Sequence, residues 1–116
     1  MIRRNQEKVS VRKPAPFQGV GEITVRSLLN GPEEMSGKGR VFGHTTVYPG
    51  SAIGYHLHQG DSETYYILSG RGEYSDNGTL MTLEAGDVVF CPSGEGHSII
   101  NRDDETLEMI ALILYM

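Results

Sequence analysis

The stretch GSAIGYHLHQGDSETYYILSG, residues 50–70, carries the decisive pattern of the chain. His56 and His58 stand one residue apart, and Glu63 follows five residues after the second, with Gly60 and Asp61 marking a bend between them. On a strand, positions i and i+2 project from the same face, so both imidazoles point together. Beyond the bend, ETYYIL has the β-branched and aromatic character of a second strand. That strand is expected to run back antiparallel beside the first and so bring the carboxylate to the two rings. By alternation Tyr65 and Ile67 share the face of Glu63, while Tyr66 and Leu68 face away. Histidines on a surface strand beside an acidic turn would read the same locally. The surrounding sequence decides.

A fourth candidate comes from GDVVFCPSGEGHSIIN, residues 86–101, where His97 begins a strand after a glycine-rich turn. Pro92 cannot donate to a ladder, so it ends DVVF and fixes the turn before His97. Three imidazoles and one carboxylate make a mixed nitrogen and oxygen site suited to a divalent first-row ion, with octahedral positions left for water or substrate. A closed structural zinc site would be tetrahedral and usually thiolate-rich.

Outward from these motifs, 15 glycines fall at regular intervals, and short runs rich in β-branched and aromatic residues lie between them. The runs are RVFGHTTVY, SETYYIL, GEYS, TLMTL, DVVF, HSII and LEMIALILY. Short strands separated by turn chemistry indicate an all-β sandwich or barrel. Asn77-Gly78 is a two-residue hairpin signal of the type I′ kind. No stretch keeps a 3.6-residue period for three turns, so any helix is a short piece. Segment 30–39, with Gly31-Pro32 and Gly37-Lys38-Gly39, reads either as a mobile loop at a barrel mouth or as a plain exposed connection.

At 116 residues the chain makes one domain, divided into an extended arm over 1–24 and a barrel over 25–116. A net charge of −5 argues against a nucleic-acid partner. The arm is locally basic: Arg3, Arg4, Lys8, Arg12 and Lys13 oppose only Glu7 within residues 1–20. It either touches an acidic partner, is solvated, or packs on this barrel or a neighbouring subunit. Cys91 is the single cysteine, which excludes an intrachain disulfide. The N-terminus lacks the apolar core of a secretory signal, and MIALILYM is far too short to cross a bilayer. A soluble cytoplasmic protein without membrane partners is expected.

The two motifs resemble those of the cupin family. Gly50-x5-His56-x-His58-x4-Glu63-x6-Gly70 and Gly86-x5-Pro92-x-Gly94-x2-His97-x3-Asn101 match the family pattern at every fixed position, over residues 50–101. The resemblance implies a jelly-roll β-barrel (a double-stranded β-helix) with a metal inside it held by His56, His58, Glu63 and His97. Manganese or iron is the first expectation, with nickel, cobalt and zinc as further choices. Gly50, Gly70 and Gly86 then sit at strand junctions, and Asn101 ties the loop after its strand. The pocket candidates are His44, Ile53, Tyr65, Ile67 and Ile99. His44 is either a cavity group or a hydrogen-bonded structural histidine. Phe90 and Cys91 lie on opposite faces, with the inward one undecided.

Among small cupins, the spacing and the ETYYILSGRGEY strand look most like single-domain proteins near the oxalate decarboxylases. In those, an arginine commonly stands three residues before the first motif histidine, where it clamps the substrate carboxylate. Here that position is Ile53. The resemblance therefore implies a metal-dependent protein that binds a small carboxylate or other oxygen-rich metabolite. It acts either as an enzyme of decarboxylase, dioxygenase or isomerase type, or as a binding or sensor domain without turnover. A homodimer is also expected, joined through LEMIALILY, which is apolar on both faces, or through the proline-marked arm.

Overall fold

The computed structural model describes residues 1–14 and 16–116. Its strands are β1 (Ser10–Pro14), β2 (Glu22–Leu29), β3 (Gly39–Val47), β4 (Ala52–Leu57) and β5 (Asp61–Ser69). They continue as β6 (Gly72–Asp76), β7 (Thr79–Leu83), β8 (Val88–Cys91), β9 (Gly96–Ile100) and β10 (Leu107–Tyr115). All pairings are antiparallel. They build a six-stranded sheet in the order β1-β2-β3-β10-β5-β8 and a four-stranded sheet in the order β4-β9-β6-β7. The inward faces of the two sheets enclose one core, to which Ile23, Val47, Ile67, Tyr74, Leu83, Ile99, Leu107 and Met109 contribute. This is a jelly-roll barrel, as the turn spacing and the two motifs suggest.

Among the described residues, helix is confined to short pieces: a 3-10 turn at Asn5–Glu7 and a single turn, α1, at Gly31–Glu34. The latter occupies the connection over 30–39, which is therefore not simply a loop. Pro32 suits its first turn, where no intrahelical N–H is needed. The Arg3 guanidinium holds Glu34 through two 2.9 Å bonds, and Met35 is buried behind it.

Tandem β-strands here do not mean paired β-strands. The expected antiparallel pairing of β4 with β5 does not form. Instead β4 pairs with β9, with His56 opposite His97, while β5 pairs with β10 and β8. The chain leaves Leu57, bends through Gln59 and Gly60 (φ 77°), and enters the opposite sheet. Glycine tolerates that left-handed conformation without Cβ strain. The first motif therefore crosses the barrel instead of forming a hairpin. The Asn77-Gly78 signal does make a two-residue turn, joining Asp76 to Thr79 with φ of 51° and 95° at its centre, the signs a type I′ turn requires.

LEMIALILY is not an edge. As β10 it lies between β3 and β5 in the larger sheet. Leu107, Met109, Ala111 and Ile113 point into the core, and Ile110 and Leu112 are half-buried on the outer face. A central strand covered on both sides by neighbouring side chains needs no clean apolar–polar alternation.

The expected boundary between arm and barrel falls inside β2. Residues 10–14 pair with 22–26 as the outer strand of the six-stranded sheet. The chain then crosses to the other sheet, where Val20 and Ala52 exchange backbone bonds of 3.2 and 2.8 Å. A Cβ on Gly54 would stand 1.9 Å from the Phe17 carbonyl oxygen, so only glycine permits this approach. The arm closes one side of the barrel formed by its own chain.

Candidate metal centre

Four side chains converge between the sheets. His56 comes from the end of β4, His97 from its pairing partner on β9, and His58 from the bend that follows β4. Glu63 arrives from β5, across the barrel. His97 Nε2 lies 3.1 Å from both His56 Nε2 and His58 Nε2. Glu63 Oε1 lies 3.1 Å from His97 Nε2, 3.2 Å from His58 Nε2 and 3.8 Å from His56 Nε2. All four donor atoms fall within 4.8 Å of one another. Metal–ligand bonds of about 2.0–2.2 Å set at right angles place neighbouring donors roughly 3 Å apart, so the spacing fits one ion.

The far side of each ring explains why the lone pairs face inward. His56 Nδ1 donates to the Gly54 carbonyl at 2.8 Å and His58 Nδ1 to Asp61 Oδ1 at 2.7 Å. A carbonyl or carboxylate accepts only, so each Nδ1 carries the proton and each Nε2 is left as an acceptor. His97 Nδ1 shares a 2.8 Å bond with the Tyr74 hydroxyl. Such partners hold ring orientation and raise ligand basicity in metal sites. Acceptors crowded around one buried point, with His58 and His97 only 3% and 1% exposed, are satisfied together by a cation. The donor set fits a divalent metal, and His56, His58, Glu63 and His97 could hold it.

Burial pushes Glu63 up, but its bonds to His56, His58 and His97 outweigh this and hold the carboxyl below its usual range. Glu63 and then Asp61 raise His58, against burial, whereas burial dominates at His97 and lowers it. Tyr65, stacked on the His97 ring with centroids 5.2 Å apart, is pushed well up by burial and by Glu63. Its phenol stays protonated.

The centre opens into a cavity of about 220 Å³. This is smaller than the roughly 300–1,000 Å³ typical of drug-sized ligands, so a small metabolite is the suitable occupant. Tyr65 lines it, as alternation from Glu63 suggests, and Ile53 lines it because an irregularity in β4 between Ile53 and His56 lets both face inward. Ile67 and Ile99 are on the inward side but lie deeper, packed in the core and outside the cavity lining. His44 is placed elsewhere. It lies on the outer face of the larger sheet, where its Nε2 bonds Glu108 Oε1 at 2.8 Å and Thr46 donates to the same oxygen at 2.7 Å. On β3 the inward positions are Val41 and Thr45, which fixes the opposite face for His44. Cys91 points inward opposite Glu63 and Phe90 points to solvent. Burial pushes the Cys91 thiol up to about 11, so it is a packed residue and not a nucleophile.

Eleven cavity residues lie outside the motifs, among them Lys13, Phe17 and Arg40. Phe17 stacks on the His56 ring, with centroids 4.1 Å apart and planes 13° from parallel. Nothing in the local sequence distinguishes them. The positive charge of the arm bears on Lys13 alone, and it fits a solvated or packed arm more readily than a partner.

Comparison with known proteins agrees with this geometry. The cupin-domain profile matches residues 43–113. The chain is 40% identical over 116 residues to the oxalate-binding protein of Thermotoga maritima, covering all of this chain and 95% of that one. A crystal structure from T. maritima described as a predicted oxalate decarboxylase superposes with a TM-score of 0.94 at 40% identity, covering both chains fully. KdgF from Halomonas, 15% identical, shares the fold with a TM-score of 0.75 over 100% of this chain and 95% of its own. With both motifs folded around one donor cluster and the profile covering most of the barrel, the chain belongs to the cupin family.

Proposed function

We propose that this protein binds a small dicarboxylate of the oxalate type through a divalent first-row ion, with manganese or iron as the metal. The observation that carries the reading is the convergence of His56, His58, Glu63 and His97 on one point, with the first three also lining a small cavity. The other walls are mainly apolar, from Ile23, Val25, Ile53, Met109, Ala111 and Ile113. A divalent ion with one carboxylate ligand keeps a net positive charge, and histidines leave it uncompensated. In a low-dielectric surround that charge attracts a small anion able to present two oxygens. The oxalate-binding relative supports this ligand class.

Binding without turnover is the reading we favour. Among the described residues, Glu63 is the one carboxylate lining the cavity, and it belongs to the donor set. Calorimetry is expected to show oxalate binding to metal-loaded protein that disappears after chelation or in Glu63→Ala. Equal binding to the metal-free form refutes the proposal.

We also propose a homodimer in the cytoplasm. Tyr66, Leu68, Val88 and Phe90 leave an uncharged, exposed apolar face on β5 and β8, next to Ile110 and Leu112 of β10. A two-fold axis can set such a face against its own copy without opposing like charges. A single buried cysteine requires no oxidising compartment. Light scattering at micromolar concentration is expected to give twice the chain mass; a monomer there, or a dimer unaffected by Phe90→Glu, counts against this contact.

A further inference from the structure

The position that the family resemblance reserves for a carboxylate-clamping arginine holds Ile53, a buried cavity wall. The cavity nevertheless has an arginine. Arg40, from the start of β3, lines it alongside Val41 and Thr45. Its Nε and Nη2 lie 3.2 and 3.1 Å from Asp61 Oδ2. The other oxygen of that carboxylate accepts from His58 Nδ1 at 2.7 Å. One aspartate therefore fixes both a candidate metal ligand and a guanidinium. Among the described residues, no side-chain or backbone acceptor engages Arg40 Nη1.

We propose that Arg40 is the specificity-determining residue for the second acidic group of the ligand, supplied by β3 in place of the strand that carries His56. The inference rests on the reading of a metal-bound dicarboxylate. Oxalate has four oxygens; two suffice to engage a metal, and the other two still carry charge. Left against Ile53, Met109, Ala111 and Ile113, those oxygens would be desolvated without a donor, which is costly. Arg40 and Lys13 are the cationic side chains lining the cavity. Both are exposed, but Lys13, on β1, makes no side-chain bond among the described residues. Arg40 is held in place by Asp61, so little freedom is lost when it meets an anion. Its planar fork also suits a carboxylate better than a point charge does.

The test compares wild type, Arg40→Gln, Arg40→Lys and Lys13→Gln, each metal-loaded and checked for metal content. Calorimetry uses two probes: oxalate, and azide, a monoanion that can occupy a metal but has no second charged group. Arg40→Gln is expected to keep its metal and its azide affinity while losing about 10–100-fold in oxalate affinity, the range for a hydrogen bond to a charged group. Arg40→Lys should recover part of that loss, and Lys13→Gln should show none of it. Unchanged oxalate affinity in Arg40→Gln overturns the assignment, as does an equal loss of azide. Loss of metal from Arg40→Gln overturns it too, since Arg40 would then act through Asp61 and His58. If oxalate binds wild type no better with metal than without, the proposed function itself fails and this inference fails with it.

Discussion

His58→Ala is expected to leave the purified protein with less than about a tenth of the wild-type metal, against close to one ion per chain in the wild type. His58 is a donor tightly built into its surroundings. Its Nε2 lies within 3.2 Å of both His97 and Glu63, and its Nδ1 is anchored on Asp61. Truncation removes one coordinate bond and leaves Asp61 without its imidazole partner, so the remaining three donors lose part of their arrangement as well. Replacing a supporting group alone typically costs 10–100-fold in metal affinity; losing the donor costs more. Elemental analysis of dialysed protein measures this directly. Full metal content in the single alanine variants of His56, His58 and His97 would refute the centre.

The second large effect is on stability. Asn101 is fully buried. Its Nδ2 donates to the Val47 carbonyl at 3.0 Å and the Glu105 carbonyl at 2.7 Å, and its Oδ1 accepts from Asp103 N–H at 3.0 Å. One amide thus fastens the end of β3, the end of β9 and the 101–106 connection together. Asn101→Ala leaves the buried Val47 carbonyl and the part-buried Glu105 carbonyl and Asp103 N–H without their partner, at about 1–3 kcal/mol for each group that water does not reach. With partial relaxation, a loss of about 3 kcal/mol is expected, read as a lower denaturant midpoint at unchanged slope. A midpoint equal to that of the wild type would show that the amide is dispensable.

The cluster of four candidate donors was legible in the sequence because metal chemistry constrains residue type and the two motifs constrain spacing. The role of Asn101 in tying its loop was legible for the same reason. Strand partnership was not. A bend at Gly60 between two β-rich runs has the same local signature whether the chain folds back or crosses to another sheet. The choice is made by β9, which takes the pairing edge of β4, and by β10 and β8, which flank β5. Alternation told which side Tyr65 and Ile67 face but not how deep each lies, so Ile67, like Ile99 beside His97, was indistinguishable from a cavity residue. On β3 both faces carry bulky or apolar side chains, so the run RVFGHTTVY left the phase of His44 open. Lys13, Phe17 and Arg40 reach the cavity only through contacts between distant parts of the chain, such as the Phe17 ring lying over His56.

That β4 and β5 lie in opposite sheets has a consequence for how the barrel comes apart. An ion held by His56, His58 and His97 on one side and Glu63 on the other would act as a rivet through the seam between the sheets. Opening that seam would break coordinate bonds as well as apolar contacts, and the unfolded chain would retain no comparable grip. The melting temperature would then become a gauge of free metal. An ion at a thousand times its dissociation constant adds about 4 kcal/mol to the folded state.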